Sequence, residues 1–169
     1  MVRYPLEYNK ILNTTKYNTF GWVRKHKDGT PKFHKGWDLV APMGTPVYPV
    51  STGTVVGVQR NDVGKYGKTI NLKFSHNGKT YYAFYSHLSE VWCSEGQEIT
   101  DINSMIGAVG DTGNAKGIAA DKVHLHFEFR KRQLGGHGTD DRIDPAEFLG
   151  SPPYHGVYAY AFEDELVTP

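Results

Sequence analysis

The 169-residue sequence has one cysteine, Cys93, which excludes an intrachain disulfide and a cysteine-built zinc cage. It has no apolar run long enough to cross a bilayer, so no membrane span is expected. The first ten residues lack the hydrophobic core of a secretory signal, so export would use another route or follow removal of a signal. Charge of one sign is also missing. A net charge of +1 leaves no broad electrostatic footprint for nucleic acid or an anionic membrane. No stretch carries the periodicity of a long amphipathic helix.

What is present favours strands. Aromatic residues make up 13% of the chain, with 11 tyrosines, and 19 glycines supply turns. Short strands are predicted at 20–24, 47–50, 53–59, 68–75, 79–86, 105–109 and 123–130. Residues 1–33 otherwise read as irregular, and 144–149 as one helical turn at most. Asn77-Gly78 suits a type I′ hairpin. The expectation is an all-β fold, an antiparallel sandwich or barrel-like sheet with long loops and little helix.

The most informative stretch is Val123-His124-Leu125-His126-Phe127-Glu128-Phe129. Its alternation predicts a strand with Val123, Leu125, Phe127 and Phe129 on one face and His124, His126 and Glu128 on the other. Two imidazoles and a carboxylate on one strand face line a cleft or hold a metal, because burial without partners is costly. His34 and Asp38 form His-x-x-x-Asp around Gly36, whose freedom would let both side chains converge. Joined to His126 they make a His₂Asp set suited to zinc, with an open position for water or substrate. Spacing alone does not separate His126 from His124 as the third ligand. His87 ends the strand predicted at 79–86. Tyr82 and Tyr85 either reach the cleft or pack. His26, His76, His137 and His155 read as surface residues.

Phe-His-x-Gly-x-Asp, Ala-Pro-x-Gly-Thr-Pro-Val-Tyr, Tyr-Ser-His-Leu-Ser, Gly-Gln, Ile-Gly-x-Val-Gly-x-Thr-Gly and His-Leu-His-Phe-Glu follow one another in this order. Over residues 20–149 the chain resembles the lysostaphin and LytM type of bacterial zinc metalloendopeptidase. The resemblance implies one zinc ion held by His34, Asp38 and His126, with His87 and His124 handling protons and polarising the substrate. It implies peptidoglycan peptides, in cross-bridges or stem peptides, as substrate, and the cell wall or periplasm as the place of action. It divides the chain into an N-terminal extension (1–19), the peptidase domain (20–149) and a C-terminal tail (150–169), the last read as loosely packed.

Such chemistry suits an antibacterial effector or a phage lysin, for which an inhibitory or immunity protein would be a partner. The His-Glu-x-x-His helix of other metalloproteases is absent, which leaves the two non-ligand histidines as proton carriers. Glu128 is expected to orient a metal-bound imidazole rather than to act directly. Trp37, between the ligands, is expected to wall the groove, and Pro49 to mark an edge or bulge. Two other readings use the same residues: an inactive peptidoglycan-binding or activator module, and a non-haem iron enzyme with a His₂-carboxylate site.

Overall fold

Alternation along residues 124–130 sets the architecture. In the computed structural model, which describes residues 2–136 and 138–159, Leu125, Phe127 and Phe129 enter the core while His124, His126, Glu128 and Arg130 face the other way. All seven residues of this strand are buried, so the polar face is covered rather than solvated. His137 and residues 160–169, on which two of the expectations fall, lie outside the described residues.

The strands are β1 (Tyr8–Asn9), β2 (Gly21–Lys25), β3 (Pro31–His34), β4 (Trp37–Val40), β5 (Pro46–Val47), β6 (Gly53–Gln59) and β7 (Lys68–His76). They continue with β8 (Lys79–Val91), β9 (Glu98–Ile99), β10 (Gly107–Val109), β11 (His124–Arg130), β12 (Arg142–Ile143) and β13 (Val157–Tyr158). A single α-helix, α1 (Ala146–Leu149), stands among the described residues. The main sheet has nine strands, ordered β12-β11-β8-β7-β6-β9, with β4 on β11 and β10 on β5 and β8. Every pairing is antiparallel, and the sheet does not close into a barrel. The all-β expectation holds. The β7–β8 hairpin turns at Asn77 and Gly78, both at positive φ, as a type I′ turn requires.

The structure corrects several local expectations. Residues 33–40, left without a strand assignment, form the end of β3 and all of β4. Trp37 does not wall the groove: it is fully buried in the core beside Leu39, because it lies on the face of β4 opposite Asp38. Tyr85 also packs in the core, where its hydroxyl accepts a hydrogen bond from the Val50 amide at 2.9 Å. Pro49 lies just beyond β5 rather than within a strand.

The residues before β2 are tied down. Tyr4, Leu6 and Ile11 join the core, Val40 N–H donates to the Lys10 carbonyl, and Ile11 bridges Leu39. Residues 150–159 are likewise not loose, since β13 pairs with β1 and Pro153 accepts from Ile11 N–H.

The register Asp38↔His126, with Trp37↔Phe127 and Leu39↔Leu125, makes β4 and β11 the frame of the polar face. Gly36 permits this pairing, though through close approach rather than through a bend: a Cβ there would overlap the Phe127 carbonyl. Gly36→Ala is therefore expected to lower the unfolding free energy by about 1–3 kcal/mol in urea titration. An unchanged midpoint would mean that β4 can move away from β11 at no cost.

Candidate metal centre and cleft

The polar faces of β4 and β11 meet the end of β3 in a cleft of about 460 Å³. His34 comes from β3, Asp38 from β4, and His124 and His126 from β11. His87 reaches the cleft by a different route. Ser86 and His87 of β8 stand opposite the single residue Thr69 of β7, a β-bulge. His87 itself has φ 59°, a left-handed backbone that a side chain of this type adopts only where its surroundings enforce it. Strict alternation would send His87 into the core with Tyr85. The bulge turns it to the cleft and returns Leu88 to the core.

Backbone carbonyls fix three of the four imidazoles. His34 Nδ1–H donates to Thr19 at 2.7 Å, His87 Nδ1–H to Thr112 at 2.8 Å, and His124 Nδ1–H to Lys122 at 2.9 Å. A carbonyl only accepts, so each neutral ring carries its proton on Nδ1 and leaves the Nε2 lone pair free. His126 is turned over. Its Nε2–H donates to Glu128 Oε2 at 2.7 Å, and its Nδ1 lies 2.8 Å from Asp38 Oδ1.

The same Asp38 oxygen lies 3.2 Å from His34 Nε2, an atom that is buried without a hydrogen-bond partner. Two imidazole nitrogens and a carboxylate oxygen thus converge within 4.8 Å of one another. With the rings neutral, lone pairs would point at a carboxylate oxygen in a buried site, which is repulsive unless a cation lies among them. Tetrahedral coordination with bonds of 2.0–2.1 Å sets neighbouring donors about 3.3 Å apart, close to the separation of His34 and Asp38. The three residues can hold a metal ion.

Charged neighbours brace this group. Arg24 Nη2 donates to Asp38 Oδ2 at 2.8 Å and to Asn18 Oδ1. Glu128, fully buried, accepts from Arg130 Nε at 2.9 Å and Arg142 Nε at 2.7 Å besides His126. Burial works against both carboxylates, but His126 and His34 hold Asp38 well below the usual carboxylate range. His126, then Arg130 and Arg142, do the same for Glu128. Burial also disfavours the His126 imidazolium, yet Asp38 and Glu128 outweigh it and push its pKa up to about 9. His87 goes the other way: burial, then the charges of His126 and His124, bring it down to about 4, so it is neutral at pH 7.

Residues 32–145 match the description "Peptidase family M23". The chain belongs to this family. It is 29% identical over 129 residues to the peptidoglycan DD-endopeptidase ShyC of Vibrio cholerae, covering 76% of this chain and 26% of that protein. It is 33% identical over 116 residues to the lipoprotein NlpD/LppB homolog of Pseudomonas aeruginosa, covering 69% and 33% respectively. The chain thus spans a third or less of the length of these curated relatives. Among solved structures, a zinc-containing peptidase from Vibrio cholerae superposes with TM-score 0.61 at 28% identity, over 79% of this chain and 39% of that one. The catalytic domain of lysostaphin from Staphylococcus simulans gives TM-score 0.58 at 27% identity, over 80% and 90%.

All five residues singled out from the M23-like motifs, His34, Asp38, His87, His124 and His126, line one cleft. Sequence reasoning missed their supports. Arg24, Tyr66 and Arg142 come from distant segments, and Tyr66 stacks on His126 at a centroid distance of 5.9 Å. The Thr19, Thr112 and Lys122 carbonyls carry no side-chain signature at all. Tyr82 does not line the cleft.

Glu128 sits behind His126, where it fixes the tautomer rather than reaching the opening. Arg142 in turn spans Glu128 and Asp141. Arg142→Met is expected to loosen Glu128 and weaken zinc binding about 10- to 100-fold in a competition titration with a chromogenic chelator. Unaltered affinity would show that Arg130 alone suffices to hold the carboxylate.

Proposed function

We propose that this chain is a zinc-dependent endopeptidase that hydrolyses peptide bonds in bacterial peptidoglycan, at the cell wall or in the periplasm. One observation carries the reading: His34 Nε2, Asp38 Oδ1 and His126 Nδ1 converge in a buried group that can hold a metal ion, beside two further imidazoles with free Nε2 atoms. Membership of family M23 and likeness to the DD-endopeptidase ShyC support the substrate class. Retention of the whole donor set argues against an inactive binding module. The catalytic unit in this reading is residues 20–149, with the segments on either side as flanking supports.

His34, Asp38 and His126 would hold the zinc ion, one per chain. When bound, zinc supplies Lewis-acid polarisation and lowers the pKa of water enough to give a nucleophile near neutral pH. The remaining work falls to the chain. His87 and His124 present Nε2 lone pairs to the cleft, because their Nδ1 protons are committed to Thr112 and Lys122. One of them accepts the proton of the attacking water and passes it to the leaving amine. The other, when it carries a second proton on Nε2, stabilises negative charge on the carbonyl oxygen. Their rings lie 5.5 Å apart, centroid to centroid, near enough to act on one reacting centre.

The test pairs zinc content with release of new amino termini from purified sacculi. Wild type should hold about one zinc per chain and release amino groups, and His126→Ala should do neither. His124→Ala and His87→Ala should keep zinc but lose about 10²- to 10⁴-fold in rate. Zinc retained by His126→Ala would overturn the ligand assignment. Zinc bound by wild type with no sacculus cut would overturn the peptidase reading.

A further inference from the structure

The walls of the cleft are charged in one sense. Among the described residues, Arg24, Lys32, Lys35, Lys65 and Lys122 line it, and Asp38 is its single acidic residue. Both Asp38 oxygens are already committed, Oδ1 to His34 and His126 and Oδ2 to Arg24. The four lysines have no carboxylate partner among the described residues. Lys122 Nζ donates to Asn13 Oδ1 at 3.1 Å, Lys35 Nζ approaches the Gly136 carbonyl at 3.4 Å, and Lys65 Nζ lies 5.2 Å from the Tyr66 ring centroid.

This bias is local. The whole chain has 19 basic and 18 acidic residues, so an average surface would offer the cleft as many carboxylates as ammonium groups. The lysines also come from separate segments. Lys32 lies on β3 and Lys35 just after it, Lys65 on the β6–β7 connection, and Lys122 on the loop before β11. Low-dielectric walls of one sign focus the field into the space between them. A cleft of about 460 Å³ admits a short peptide segment, not a nucleic-acid duplex.

We propose that the lysines flanking the cleft make the site selective for peptides that bear free carboxylates beside the scissile bond, as in an unamidated stem peptide, over neutral peptides such as an oligoglycine bridge. This deepens the endopeptidase reading and rests on it for the identity of the substrate, but recognition is separable from cleavage. Lys65 lies beside Tyr66 and acts on Lys35 through its charge, whereas Lys122 bonds to Asn13 and its carbonyl holds the His124 ring. The cations thus form two groups, each able to meet a carboxylate of a bound peptide. An amide in the same place offers no charge, and a glycine strand offers neither.

Binding gives the test, so it does not depend on turnover. The probes are a fluorescently labelled γ-D-glutamyl-diaminopimelyl-D-alanine peptide with free carboxylates, the same peptide with those carboxylates amidated, and labelled pentaglycine. Fluorescence anisotropy is read with the full chain at 20 mM and 500 mM NaCl. The acidic peptide should bind about five- to tenfold tighter than its amide at low salt, with most of that margin lost at high salt.

The paired substitutions K35Q/K65Q and K32Q/K122Q, each checked for an unchanged melting temperature, should between them reduce the margin to about unity. Whichever pair does so marks the end that holds the carboxylate. Equal affinity for acid and amide, no measurable binding of either, or a margin that survives both double substitutions overturns the proposal. A carboxylate preference without cleavage of any peptide supports this inference while overturning hydrolysis.

Discussion

The His126 ring lies between two buried carboxylates, and the site is arranged around that fact. Taking two carboxylates out of water costs several kcal/mol each unless cations and hydrogen bonds replace the solvent. Glu128 is provided for by Arg130 and Arg142, which both reach Oε1, while His126 takes Oε2. Asp38 is provided for on one side only. Arg24 covers Oδ2, but Oδ1 faces two imidazole nitrogens whose lone pairs repel it. A proton on His126 Nδ1 relieves one of those repulsions, and a metal ion relieves both. Proton and metal therefore compete for the same place, and the divalent ion answers more of the buried negative charge.

That electrostatic demand is met only because two strands stay in register. A slip of one residue between β4 and β11 would carry Asp38 away from His126 and bring Trp37 or Leu39 to the polar face. Burial of Trp37, Leu39, Leu125, Phe127 and Phe129 on the opposite face opposes such a slip. Truncation of a buried aromatic costs about 3–5 kcal/mol, so the apolar side holds the polar side in place. Outside this frame the supports are loops and straps. Residues 15–19 bring up the Thr19 carbonyl, and the 111–123 loop supplies those of Thr112 and Lys122.

This division explains what the sequence revealed. Residues 123–130 declared their two faces because a strand half in the core must alternate, and Asn77-Gly78 declared its hairpin because few residues tolerate both backbone conformations. The His-x-x-x-Asp and His-x-His pairs were legible from side-chain type, although only register shows that Asp38 meets His126 rather than His124. The parity of Trp37 was not legible, because β4 is only four residues long and too short for alternation to set its faces. Carbonyl donors are invisible in principle, since every residue has one. Arg24 and Arg142 belong to no motif, and only the fold brings them to Asp38 and Glu128. The lysines of the cleft were hidden in the same way, averaged out in a net charge of +1.

His87 shows how the fold reconciles these demands. A non-glycine residue with a left-handed backbone carries strain of about 1–3 kcal/mol, which a straight strand would avoid. A straight β8 would, however, leave His124 as the only other imidazole, among the described residues, beside the His34–Asp38–His126 group and put His87 against Tyr85 in the core. The bulge avoids both outcomes. Its strain is offset by the His87 amide donating to the Tyr66 carbonyl at 2.8 Å and the ring donating to Thr112 at 2.8 Å. Thr112 then closes the arrangement, since its hydroxyl donates to the Leu88 carbonyl and accepts from the Lys68 amide. Two β-strands and one loop are locked together at the point where His87 enters the cleft, so the strain is held by contacts that a regular sheet would not make.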